Sequence, residues 1–114
     1  HSYTPVDGYA DLKQTIITKF KRDNHLTYSP SQIVVSTGAK QSLANLAMVL
    51  LNEGDEVLLP APYWVSYSDI SKLAGGVPVE INTSIDSDFK ITPESLEAAI
   101  TPKTKMMIYS SPCN

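Results

Sequence analysis

Residues 31–51 constrain this chain most tightly: the β-branched run Ile33-Val34-Val35 meets Ser36-Thr37-Gly38-Ala39-Lys40, and a long apolar-periodic segment follows at once. The spacing predicts a strand, a tight turn and the start of a helix. A helix N-terminus carries four backbone N–H groups without an intrahelical partner, at the positive end of its dipole, so an anion such as phosphate docks there readily. Gly38 lets the backbone come close, while Ser36, Thr37 and Lys40 add hydroxyls and a cation. The same residues also suit an ordinary β-to-α connection, and both readings stand at this point.

A length of 114 residues is that of one domain, enough to bury a core and short for a complete enzyme. The net charge of -3 and the nine dispersed lysines and arginines give no basic footprint for nucleic acid. Cys113 is the only cysteine, so an intrachain disulfide is impossible; a reducing compartment fits, and the cytoplasm is the expected location. No apolar run approaches the roughly 20 residues of a membrane span, and the N-terminus lacks the charged and apolar regions of a signal peptide, so no membrane partner is expected. Asn114 closely follows a strand-like run that delivers Ser110-Ser111-Pro112. Sites sit at such strand ends in parallel sheets, so a piece of a longer protein is expected.

Along the chain, Leu12, Ile16, Ile17 and Phe20 recur at helical spacing over residues 10–24, with Lys13, Lys19, Lys21 and Arg22 on other faces. After the strand at 33–35, a helix over 39–51 should bury Leu43, Leu46, Ala47 and Leu50. A buried strand over 56–59 exits through Pro60-Ala61-Pro62, which forces an extended path. Trp64, Tyr67, Ile70 and Leu73 then predict a helix over 63–74, stopped by Gly75-Gly76. A strand over 77–81 carries Pro78, which places it towards a sheet edge or beginning. Residues 82–90 read as a polar loop. Thr92-Pro93-Glu94 signals a capped helix over 93–100, and the last strand spans 105–109. Alternating helices and strands imply an α/β fold, three layers α/β/α around a mainly parallel sheet of about four strands. The strand C-termini would bring 36–38, 60–64 and 110–114 to one edge, where ligands bind in such sheets.

The runs Tyr3-Thr4-Pro5-Val6-Asp7-Gly8, Ser36-Thr37-Gly38-Ala39-Lys40-Gln41, Pro60-Ala61-Pro62-Tyr63-Trp64 and Ser111-Pro112-Cys113-Asn114 carry a resemblance. In order and spacing they resemble the pyridoxal-phosphate-dependent class I aminotransferases of fold type I, close to the bacterial aspartate and aromatic-accepting branch. The resemblance runs over essentially all 114 residues. It implies that residues 1–114 are an early part of the large, cofactor-binding domain.

The resemblance implies cofactor contacts at Gly38, Ala39, Lys40, Trp64, Asn114 and Tyr3. Gly38, Ala39 and Lys40 match the turn that holds the phosphate. Trp64 matches the aromatic residue stacked on the pyridine ring, where a flat π-surface fixes the ring plane and keeps water off one side; read alone, it is a core anchor under a helix. Asn114 matches the asparagine that hydrogen-bonds the phenolic oxygen, and by itself is simply a polar residue. Tyr3 matches a tyrosine that reaches the phosphate of the neighbouring subunit in a homodimer; alone it is a terminal aromatic. Lys40, with Trp64 and Asn114, is also placed to meet substrate, Lys40 at a distal carboxylate. His1 and His25 read as surface residues, and no metal site is expected.

No catalytic residue is expected among these 114. The family's covalent lysine, its aspartate on the pyridine nitrogen and its arginines on phosphate and α-carboxylate all match positions beyond Asn114. Lys103 and Lys105, lying before the final strand, do not stand in for that lysine. The implied reaction of the parent moves an amino group between an amino acid, aspartate or an aromatic one, and a 2-oxo acid. A decarboxylase, a lyase or a cyclopropane-forming synthase on the same fold, or an aminotransferase-like effector domain of a transcription regulator, are the alternatives. An unrelated phosphate-binding domain lacks the glycine-rich signatures it would need. A sheet cut after four strands leaves an open edge, so the piece alone is expected to self-associate.

Overall fold

A computed structural model describes residues 3–112. Two compact units divide at Ser42/Leu43. The first holds helix α1 (Ala10–Asn24), a 3₁₀ turn at Pro30–Gln32 and the first turn of α2 (Ala39–Leu50). The second holds the rest of α2, then β1 (Glu56–Pro60), α3 (Ser66–Leu73), β2 (Val77–Ile81), α4 (Pro93–Ala99) and β3 (Thr104–Met107).

In the first unit, α1 forms where the periodicity places it, with Ile17 on its buried side. Lys13, expected on another face, is buried too, because its ammonium donates to the Asp7 carboxylate. Asp7 belongs to a turn closed by the Gly8 N–H on the Pro5 carbonyl at 3.2 Å. The expected strand at 33–35 does not form. That stretch is extended without a ladder, and the Val35 N–H donates to the Asp7 carbonyl at 3.0 Å. A β-branched run supplies strand propensity, but a strand exists only with a partner alongside.

The second unit is a three-stranded parallel sheet in the order β2-β1-β3, one strand fewer than expected. Central β1 explains its own composition: paired on both sides and covered on both faces, Val57, Leu58 and Leu59 are all buried, with no polar alternation. Val57 and Leu59 point to one face, where Ala47 and Leu51 from the α2 end and Tyr67 from α3 meet them with Ile108. Leu58 points the other way, where it lines a shallow groove with Leu96 and Ile100 around α4. Helices therefore lie on both faces, as the expected layering requires.

Pro78 sits in edge strand β2, opposite Val57, where its missing N–H costs no ladder bond on the open side. Helix α3 begins at Ser66 rather than at 63, and residues 61–62 form a bend between β1 and the helix in place of the expected extended path. The Thr92 hydroxyl accepts the Ser95 N–H at 3.2 Å at the start of α4, a cap that contributes about 1 kcal/mol. Leu46 and Leu50 are exposed against expectation. The covered stripe of α2 runs through Leu43 and Ala47 to Leu51, a quarter-turn away from the one its leucines suggest. Among the described residues, no helix is long and apolar enough to cross a membrane.

Candidate functional site

In the first unit, the turn at 36–40 forms as the start of α2. Gly38 adopts φ +85°, a left-handed conformation that a side chain disfavours, and its N–H donates to the Ser36 carbonyl at 2.9 Å. Beyond its two chain neighbours, no atom of the described residues lies within 4 Å of the place where a Cβ on Gly38 would stand. The Ser42 N–H donates to the Gly38 carbonyl at 3.4 Å, so helical hydrogen bonding starts at the glycine. The Gln41 side-chain carbonyl takes the Thr37 N–H and braces the turn from inside. Thr37, Gly38, Ala39 and Lys40 are exposed, and Ser36 is half-buried. An exposed turn, a twelve-residue helix behind it and a lysine in the first turn make an arrangement that suits an anion.

Tyr3 is fully exposed, just ahead of the Pro5–Gly8 turn. The hydrogen bond from Lys13 holds the Asp7 carboxyl in that turn below the usual carboxylate range. A depressed folded-state value means that the pair stabilises fully above the unfolded aspartate value of about 3.9 and loses its contribution as pH falls through the lower folded value. The unfolding free energies of the unsubstituted protein and of Asp7→Asn should accordingly separate at neutral pH and converge in acid. A gap that stays constant down the titration would contradict the pairing.

In the second unit, the C-terminal ends of β1 and β3 open onto one cleft of about 260 Å³. Pro60 and Tyr63 line it from the β1 side, Tyr109 and Ser111 from the β3 side, and Phe89 and Lys90 from the loop after β2. Two of the three turns expected at one rim thus share a cleft, while the 36–40 turn belongs to the other unit. Tyr63 donates to the Glu80 carboxylate at 3.1 Å, and burial, then that bond and the charge of Glu80, push its hydroxyl above the ordinary tyrosine value. Trp64 stands beside the cleft lining, half-buried against the core, edge-to-face with Tyr67 at 5.6 Å and 86°. Asn114 and Cys113 lie outside the described residues.

Phe89 and Lys90 lie in a segment read from the sequence only as a polar loop. Asp88 and Phe89 there both take left-handed backbone, at φ 55° and 52°. The available signal is a lone aromatic in a run whose one other apolar residue is Ile85. Among the described residues, no three His, Cys, Asp or Glu side chains gather as a metal site.

Comparison with known proteins fits this architecture. The chain is 55% identical over 112 residues to an aspartate/prephenate aminotransferase of Cereibacter sphaeroides, covering 98% of this chain and 28% of that relative. It is 57% identical over 112 residues to an aspartate aminotransferase of a Bacillus species, covering 98% of this chain and 29% of that protein. Superposed on the crystal structure of the Rhizobium meliloti aspartate aminotransferase, it gives a TM-score of 0.94 at 50% identity, over 99% of this chain and 28% of the other. The chain spans less than a third of the length of these relatives. A model of the family "aminotransferase class I and II" matches residues 1–114 from end to end, and the chain belongs to that family.

Proposed function

We propose that these 114 residues are an early part of the large, cofactor-binding domain of a pyridoxal-phosphate-dependent aminotransferase that moves an amino group between aspartate, or a related amino acid, and a 2-oxo acid. The observation that carries this reading is whole-length likeness, with 55% identity to an aspartate/prephenate aminotransferase and a TM-score of 0.94 to a solved aspartate aminotransferase. The open, left-handed Gly38 turn ahead of α2 is the local feature that fits a phosphate.

In this reading the backbone of Gly38, Ala39 and Lys40 holds the cofactor phosphate, and the dipole of α2 favours its charge. Trp64, already oriented by Tyr67 and the core, offers a flat face that excludes water from one side of the ring. Asn114 donates to the phenolic oxygen, and Tyr3 serves the phosphate of a second copy in a homodimer. Lys40 has a second role open to it, pairing with the distal carboxylate of a dicarboxylic substrate. The bound cofactor supplies the electron sink that makes an amino-acid α-proton removable. The lysine that joins to it covalently comes from outside these residues, so the 114-residue piece is inactive alone. The parent works in the cytoplasm.

Two measurements test this. The complete protein given aspartate and a 2-oxo acid acceptor should form oxaloacetate; no transfer would overturn the reading. The 114-residue chain treated with pyridoxal phosphate and borohydride should yield no stoichiometric lysine adduct. An adduct fixed on a single lysine, such as Lys40 or Lys103, would overturn the assignment of the reactive group to another part of the protein.

A further inference from the structure

Among the described residues, Lys13 is the one charged side chain that is buried, and it lies outside every motif assigned above. A lysine leaves water at a cost of several kcal/mol unless it is paired and hydrogen-bonded. Lys13 is paired with Asp7 alone in the described contacts, and Asp7 is also the residue whose carbonyl receives the Val35 N–H at 3.0 Å. Next to it, Gly8 abuts Val35 so closely that a Cβ on Gly8 would stand 2.7 Å from the Val35 Cβ and Cγ2. Val35 is followed directly by Ser36, whose carbonyl takes the Gly38 N–H.

A short chain of contacts thus runs from the buried face of α1, through the Lys13–Asp7 pair, to Val35 and into the turn. The 33–35 stretch has no strand ladder to fix it. Its place is set by the burial of Ile33 and by this contact with the Asp7–Gly8 peptide.

We propose that Asp7 and Lys13 are positioning residues for the anion-holding turn at 36–40: the ion pair between the buried Lys13 and the more exposed Asp7 carboxylate anchors the Asp7 carbonyl, which holds Val35 and thereby aims the backbone N–H groups of the turn. Neither residue touches the anion. For the cofactor this deepens the reading under Proposed function and rests on it.

The test uses the complete protein and three variants. Lys13→Met keeps the stem and removes the charge, Lys13→Arg restores a cation, and Ile17→Val loosens the same buried side of α1 one turn on without touching the pair. Affinity for pyridoxal phosphate, followed by its absorbance, should fall roughly tenfold in Lys13→Met, the lower end of the loss seen when a residue that orients a metal ligand is removed. It should recover in Lys13→Arg and stay unchanged in Ile17→Val. Equal losses in Lys13→Met and Ile17→Val would reduce the pair to a general stabiliser and overturn the proposal. A second measurement needs no cofactor: amide hydrogen exchange at residues 35–41 should accelerate in Lys13→Met and not in Ile17→Val. Unchanged exchange there overturns the positioning role. Failure of the unsubstituted complete protein to bind pyridoxal phosphate overturns the cofactor reading instead, and the exchange measurement still decides whether the pair aims the turn.

Discussion

Replacing Gly8 with alanine should destabilise the chain by about 2–5 kcal/mol, the sum of two separate penalties. The first is conformational. Gly8 holds φ +102°, where an L side chain costs roughly 1–2 kcal/mol. The second is steric: the new Cβ would stand 2.7 Å from both the Cβ and the Cγ2 of Val35, and forced overpacking costs about 1–3 kcal/mol. Gly38 in the same unit separates the two. It shares the positive φ, at +85°, with nothing beyond its chain neighbours within 4 Å of its Cβ position, so Gly38→Ala should show the conformational penalty alone. Urea unfolding of both variants checks the difference, and equal midpoints would mean that Gly8 and Val35 are not in contact.

Leu59→Ala is expected to cost about 2–5 kcal/mol, because it opens a cavity that neighbours cannot close. Leu59 is fully buried in the central strand, paired with Glu80 of β2, in one core cluster with Ala47, Tyr67 and Ile108. The ladder to β2, in which Leu59 stands opposite Glu80, keeps the backbone from collapsing inward. Leu46→Ala, on the exposed side of α2, should change stability by no more than about 0.5 kcal/mol. Comparable losses at the two leucines would show that the core does not run where Ala47 and Leu51 place it.

That contrast also marks where sequence reading ended. The apolar periodicity of residues 39–51 specified a helix, because a 3.6-residue repeat follows from the backbone alone. Which side of that helix is covered depended on its neighbours. The strand at 56–60 was legible for a related reason: an unbroken apolar run has no outward face to alternate with. The Thr92 cap was legible because the geometry of one residue dictates it. The 33–35 run misled, since β-branching marks what a strand can contain and says nothing about whether a partner lies beside it.

The candidate site divides in the same way. By itself the sequence determined the order of helices and strands from residue 39 onward, the Gly38 turn at a helix start and the family likeness. Tertiary structure alone decided that Lys13 is buried on Asp7, and that Tyr63, Phe89 and Tyr109 line one cleft. It also decided that Trp64 is held edge-to-face by Tyr67. The physical reason is range: propensity, capping and turn geometry act within about four residues. Burial and ion pairing depend on what packing brings together, and no local pattern encodes that.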